Sequence, residues 1–197
     1  MRVDKDRICQ EAIVLANRRG LDGLSMNDLA QALNIRAPSL YSHVAGIDDV
    51  KRLLALHGLD LLDRSVAQAT IGKSGAEAVT AALNAYRDFV RKNPGVYAAM
   101  IPTPPRSDRE WSGAVDRLMD TLLASLREYG LRGSELIHAL RGLRSLVHGF
   151  VSLESSGALK HRVDRDESFA WMVGSFVAAL ERMSSQVQAK RLAGVEA

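Results

Sequence analysis

A single cysteine, Cys9, in 197 residues excludes any internal disulfide, and five prolines are too few for a proline-rich rod. Aromatic residues make up only 5% of the chain. No strong excess of one charge is present either: 26 Lys plus Arg stand against 23 Asp plus Glu, a formal net charge of +3. Such a balance permits nucleic-acid binding without demanding it, so a basic surface must come from how the charges are arranged. The longest apolar stretch, residues 170–180, is too short and too interrupted by Gly174 and Ser175 to cross a bilayer. The first residues, with Arg2, Asp4, Lys5, Asp6 and Arg7, hold no apolar targeting core. Cys9, beside Ile8 and Ala12, reads as a buried structural thiol of a reducing compartment. These absences describe a cytoplasmic chain without a membrane partner, and 47% hydrophobic with 25% charged residues excludes disorder, collagen and a coiled-coil rod.

What is present is a series of helix starts. Ser25 with Asp28, Ser74 with Glu77, Ser107 with Glu110 and Asp164 with Glu167 each place an acceptor at an N-cap and a carboxylate three residues on. Between them apolar residues recur at helical spacing, as in Trp111, Val115, Leu118, Leu122 and Leu126, and no stretch alternates with the period of a half-buried strand. The pattern predicts an all-α protein of nine helices over 5–19, 26–33, 37–43, 48–71, 75–92, 94–101, 108–129, 134–159 and 165–188. Gly20, Asp22 and Gly23, then Asn93 and Pro94, then the run from Pro102 to Pro105 supply the breaks.

Residues 25–44, SMNDLAQALNIRAPSLYSHV, carry the sharpest signal. Leu29, Ala30 and Leu33 make the inner face of one short helix, and Leu40 and Val44 that of the next. Asn34 stands at the corner between them, where its tolerance of left-handed backbone suits a tight turn. This is a helix-turn-helix pattern. No acidic residue occurs from Leu29 to Ile47, and the second helix opens on Arg36, Ala37, Pro38 and Ser39. Small residues there allow close approach to base edges, and the hydroxyls of Ser39, Tyr41 and Ser42, with His43, can donate to phosphate oxygens. The amides at that helix start add partial positive charge.

With the preceding NRRGLDGLS and the following Asp48, Asp49 and Val50, the segment resembles the N-terminal DNA-binding domain of the TetR family of transcriptional repressors. The resemblance spans about the first quarter of the chain. It implies a helix-turn-helix domain over residues 1–47 and an effector-binding and dimerisation domain over 48–197. It further implies that Asn27, Arg36, Ala37 and Pro38 lie closest to bases, while Ser25, Ser39, Tyr41, Ser42, His43 and Lys51 hold phosphates. Asn34 replaces a usual glycine, Val44 a common phenylalanine, and Ala45, Gly46 and Ile47 stand where basic or amide residues are frequent. That leaves Lys51 and Arg52 as substitutes for the phosphate contact at the start of the fourth helix. Residues 143–159, LRSLVHGFVSLESSGAL, also resemble the regulatory domain of a TetR subgroup named for a Trp-His-Gly motif, with Val147 in place of the tryptophan.

In the eighth helix Gly142, Ser145, Gly149 and Ser152 form a small-residue stripe, and the ninth offers Phe169, Met172, Val173, Phe176 and Leu180. Paired across a two-fold axis, these would make a homodimer interface, although ordinary intrachain packing leaves the same spacing. Tyr86, Phe89, Tyr97, Met100, Trp111, Met119 and His138 are candidate linings of an effector cavity by helix position, against the alternative of plain core. Ile137, Arg141, Arg144 and His148 share one face of the eighth helix. Turned inward, that face implies an anionic small-molecule effector; turned outward, it is a solvated or interface face.

No enzyme emerges. The Gly72, Lys73, Ser74 sequence has Ala67 where a phosphate loop requires glycine and joins two helices, not a strand to a helix. The five histidines give no metal-binding spacing, so no cofactor and no metal are expected. The expected function is a DNA-binding regulator, a repressor released from a palindromic operator by an effector. The alternative is a helical protein-interaction module whose helix-turn-helix is only structural.

Overall fold

The computed structural model describes residues 3–192. Among them nine α-helices follow in order: α1 (Lys5–Arg19), α2 (Met26–Ala32), α3 (Ala37–Leu40), α4 (Ile47–Thr70), α5 (Gly75–Lys92), α6 (Pro94–Met100), α7 (Arg109–Ala124), α8 (Gly133–Ser155) and α9 (Arg165–Leu192). A 3-10 turn covers Arg127–Tyr129, and no strand occurs among the described residues. The all-α reading therefore holds. No helix among the described residues is long and apolar enough to cross a membrane.

Helix starts follow the side chains that satisfy the first free amides. Asp4 accepts from the Arg7 N–H at 2.9 Å, Ser25 from the Asp28 N–H at 3.2 Å, and Asp164 from the amides of Asp166 and Glu167. At α7 the cap is Asp108, which accepts from the Trp111 N–H at 3.0 Å, so the expected cap Ser107 lies one residue too early. Helix α7 also stops sooner than the periodicity predicts. The Ser125 hydroxyl donates back to the Leu122 carbonyl at 2.7 Å, the chain tightens into the 3-10 turn, and Gly130 ends it with φ of 65°. Helix α8 ends at Ser155, not at 159, because Gly157 takes φ of 69° and lets the Ala158 N–H reach the Leu153 carbonyl at 2.9 Å.

The chain forms two compact units. The first comprises the chain through Leu62 together with Lys92–Leu118. Its core gathers Ile8, Ala12, Ala16, Leu29, Leu40, Val44, Val50 and Leu54. Helix α6 lies so close to α1 that a Cβ on Gly95 would stand 2.1 Å from the Ala16 carbonyl oxygen. Asn17 of α1 accepts from the amides of Gly95 and Val96 at 2.9 and 3.4 Å, capping α6 from a neighbouring helix. On α4, Gly58 makes room for Val96 and Met100. Cys9 is buried here, and desolvation together with the Asp6 carboxylate pushes its thiol up to about 11.

The second unit comprises Asp63–Arg91 and the chain from Met119 onward. Its core holds Val79, Leu83, Leu122, Leu126, Leu143, Val147, Phe169 and Leu180. Phe176 of α9 packs against Gly142 of α8, where an added Cβ would meet the ring at 3.2 Å.

Candidate nucleic-acid interface

The corner between α2 and α3 is built as its residues require. The Ile35 N–H reaches the Ala30 carbonyl at 3.0 Å, and Asn34 takes φ of 55°, the only positive value at a non-glycine residue among those described. Arg36 follows in extended conformation, Ala37 and Pro38 open α3, and Leu40 and Val44 are buried. Helical geometry ends at Leu40. Tyr41, Ser42 and His43 continue as a turn in which the amides of His43 and Val44 both reach the Leu40 carbonyl.

This local structure sorts the expected DNA-binding residues. Asn27, Arg36, Pro38, Ser39, Tyr41 and Ser42 are exposed, whereas Ser25, Ala37, His43 and Lys51 are half-buried. Tyr41 is 57% exposed while Leu40 beside it is fully buried, so the ring is not spent on the core. The Ser42 hydroxyl donates to the Ser39 carbonyl at 2.7 Å. That of Ser25 donates to Asp28, whose carboxyl it holds below the ordinary carboxylate range with help from Arg19. With no acid from Leu29 to Ile47, the exposed face of α3 and the following turn offers hydroxyls, one guanidinium and backbone, a surface suited to phosphate and base edges.

Arg52 is a correction. Its guanidinium holds Asp108 through two hydrogen bonds at 2.5 and 2.9 Å and Glu110 at 2.6 Å, which draws the Asp108 carboxyl down to about 2. A cation already shared by two carboxylates is poorly placed to substitute for a phosphate ligand, which leaves Lys51 as the remaining candidate. Asp49 accepts from the Ala45 N–H at 3.1 Å, so the start of α4 is closed by its own carboxylate.

The residues proposed to line an effector cavity fall in both units. In the first, Tyr97 and Trp111 are buried and Met100 is half-buried; the indole N–H of Trp111 has no acceptor among the described residues. In the second, Phe89 is buried, Tyr86 and Met119 are half-buried, and His138, Arg141 and Arg144 are exposed. The Arg141, Arg144 and His148 face thus turns outward. Of the interface candidates, Ser145 is exposed and Gly142, Gly149, Ser152, Met172 and Phe176 are half-buried. Phe169, Val173 and Leu180 are each 3% exposed or less, already consumed by the core of their own chain. The outward face of α9 carries instead Trp171, 76% exposed, with Gly174 and Ala178 one and two turns on.

A polar cluster that the sequence pattern did not reveal lies inside the second unit. Arg87, 5% exposed, donates through Nε and Nη2 to both carboxylate oxygens of Glu154 at 3.0 and 2.7 Å and to the Arg165 carbonyl at 3.2 Å. Its guanidinium lies over the rings of Phe150 and Phe169, 5.0 and 4.5 Å from their centroids. Arg91 and Asp166 complete the network. The bidentate pair with Arg87, helped by Arg91, draws the Glu154 carboxyl down to about 2.

Comparison with known proteins follows the same lines. A family model described as tetracyclin repressor-like, C-terminal domain, matches residues 79–176. An uncharacterised HTH-type transcriptional regulator of Mycobacterium tuberculosis is 30% identical over 93% of this chain and 84% of its own length. Another, from Bacillus subtilis, is 32% identical over 88% of this chain and 90% of its own. Among solved structures, a TetR variant of Acinetobacter baumannii in complex with minocycline superposes with a TM-score of 0.71 at 22% identity, covering 93% of this chain and 99% of that one.

Proposed function

The chain belongs to the TetR family of transcriptional regulators, and from that membership we propose that it is a homodimeric repressor released from a palindromic operator by a small-molecule effector. The observation that carries the DNA-binding surface is the exposed, acid-free face of α3 and its turn, with Tyr41 turned outward beside a fully buried Leu40. In this reading residues 1–47 bind DNA and residues 48–197 bind effector and partner chain. Arg36, Ala37, Pro38 and Asn27 approach base edges, and Ser25, Ser39, Tyr41, Ser42, His43 and Lys51 hold phosphates.

The two kinds of contact predict different losses. Tyr41→Phe removes one phosphate donor and should weaken binding about equally on every sequence, whereas Arg36→Ala should relax preference at particular base pairs by about 1–3 kcal/mol. Genomic fragments enriched on the purified protein supply the site, and salt titration supplies the count of displaced counterions, with a slope of about −0.9 per phosphate contact. Unchanged binding in both variants would remove the assignment. A flat salt dependence would favour a helix-turn-helix that is only structural.

For the dimer, side chains buried in one chain cannot be buried again, so the face to be covered is the one that is exposed. That favours Trp171, Gly174 and Ala178 on α9 with Gly149 and Ser152 on α8 as the seam between two chains. Gly149 and Gly174 leave open space where a Cβ would stand, room for a close helix approach. An exposed tryptophan at such a seam has the character of an interface anchor. Trp171→Ala should weaken self-association about 30-fold in sedimentation equilibrium without lowering the melting temperature of the monomer. A dimer of undiminished affinity would place the interface elsewhere.

Effector and operator binding are then linked through the two conformations of the dimer. A tenfold loss of operator affinity requires about 1.4 kcal/mol of preference of the effector for the released form. Helix α4, 24 residues and so about 36 Å long, is proposed to carry that coupling because it starts directly after the helix-turn-helix and runs without a break from the first unit into the second.

A further inference from the structure

The face of α8 that turns outward is an incomplete electrostatic arrangement. Between α5 and α8 lies a cleft of about 220 Å³ lined by Tyr86, Arg141, Arg144, Ser145 and His148. Every lining side chain carries a hydrogen-bonding group, two are guanidiniums, and none is acidic. Arg141 and Arg144 are exposed, and neither takes part in an ion pair among the described residues.

No carboxylate lines this cleft. From Leu136 to Leu153 the chain contains no Asp or Glu. The residues one turn from Arg141 are Ile137, His138, Arg144 and Ser145, and those from Arg144 are Leu140, Arg141, Val147 and His148. The guanidiniums of Arg141 and Arg144, three residues apart on one helix, repel one another, and an anion between them would offset that repulsion. On α5 the residues one turn from Tyr86 are Ala82, Leu83, Phe89 and Val90, equally without charge. Glu154 and Asp166, acids of the same unit, are held by Arg87 and Arg91. A second hollow in this unit, lined by Arg127 and Arg132, has Asp120 in its wall and shows the ordinary compensated case.

We propose that the cleft of Tyr86, Arg141, Arg144, Ser145 and His148 is a binding site for a small oxyanion carrying two or more charges, a phosphate or a polycarboxylate. Planar guanidiniums one turn apart present paired N–H donors that match oxyanion geometry, and the Ser145 hydroxyl adds a neutral donor at the margin. The volume is below the roughly 300–1,000 Å³ of pockets for drug-sized ligands, which suits a compact anion. The site deepens the effector reading by giving the ligand a charge, and it rests on that reading only for any consequence at the operator.

Inorganic phosphate and citrate, titrated separately into the full-length chain at low chloride in a calorimeter, test the site. Saturable binding of at least one of them is expected, weakened at least 30-fold in Arg141→Gln/Arg144→Gln and unchanged in Arg182→Gln, which removes an exposed charge of α9 outside the cleft. Phosphate alone would indicate a phosphorylated ligand, citrate alone a polycarboxylate. Ser145→Glu places a carboxylate among the cations and should abolish binding while melting no lower than the wild type, which shows the loss without a loss of fold. Failure of both anions to bind, or equal binding to wild type and cleft variants, overturns the proposal. So does a double arginine variant that becomes monomeric while the wild type takes up neither anion, since a second chain would then be the occupant. Operator affinity measured with and without the anion separates the two readings: binding without an effect on the operator supports the site and removes its effector role.

Discussion

Arg87→Met is expected to lower the unfolding free energy by about 3–5 kcal/mol, the loss typical when one partner of a buried ion pair is removed. Arg87 is 5% exposed and the Glu154 side chain 8%, so the carboxylate left behind cannot recover its hydration. Only Arg91, 41% exposed and 2.9 Å away, would remain to hold it, and the stacking on Phe150 and Phe169 would go as well. The double variant Arg87→Met/Glu154→Leu should regain most of the loss, because removing both charges also removes both desolvation costs. Urea unfolding of the single and double variants measures this; two losses that simply add would show that the side chains act independently. The acid side of the stability curve should report the same pair. Glu154 is held at about 2, below the roughly 4.3 of a free glutamate, so the unfolded chain binds its proton more readily. The stabilisation is therefore complete above about pH 4.5 and is lost as pH falls towards 2. Asp108, also held at about 2 by Arg52, acts in the same direction, and Arg87→Met should flatten the share of the acid slope that belongs to Glu154 and its neighbour Asp166 while leaving that of Asp108.

The helix-turn-helix was readable because its signals are local. Asn34 marked the corner since few side chains tolerate left-handed backbone, Ser25 marked the start of α2, and Leu40 beside Tyr41 separated the inner from the outer face. The ends of α7 and α8 were not, because a periodic apolar pattern continues past the point where Ser125 and Gly157 turn the backbone. The Arg87 and Glu154 pair is separated by 67 residues, and Arg52 meets Asp108 across 56. No local pattern announces either, and each bears on the reading of the site: the first explains a charge held inside the second unit, the second shows Arg52 engaged by carboxylates and so a poor candidate for a phosphate contact. Helical periodicity also identifies apolar faces without telling which is turned inward. That is why Phe169, Val173 and Leu180 stood as interface candidates although their side chains are buried in the core of their own chain.

Gly95→Ala should destabilise the chain by about 3 kcal/mol or more, against the ordinary preference for alanine in a helix, worth up to about 1 kcal/mol in the opposite direction. The sign follows from where the new methyl would stand: 2.1 Å from the Ala16 carbonyl oxygen, 2.2 Å from its carbon and 2.7 Å from the Asn17 nitrogen. All three are backbone atoms of α1, so no rotamer change relieves the overlap and α6 must move away. Moving it breaks the bonds from Gly95 and Val96 to the Asn17 side chain, a cap worth about 1 kcal/mol by itself. Withdrawal is also opposed on another side, because Val96 and Met100 already fill the space that Gly58 leaves open on α4. Helix α6 is thereby clamped between α1 and α4 by two glycines. Two comparisons isolate the cause in thermal denaturation. Asn17→Ala removes the cap without the overlap and should cost about 1 kcal/mol. Gly113→Ala, in α7 where the nearest atom is a flexible Arg117 nitrogen at 3.8 Å, should melt no lower than the wild type. A Gly95→Ala chain as stable as Gly113→Ala would mean that α6 is not held against α1 as described. If the clamp is real, the damage extends to function: α1 packs on α2, so displacing α6 shifts the support of the helix-turn-helix, and operator affinity should fall further in Gly95→Ala than in Asn17→Ala.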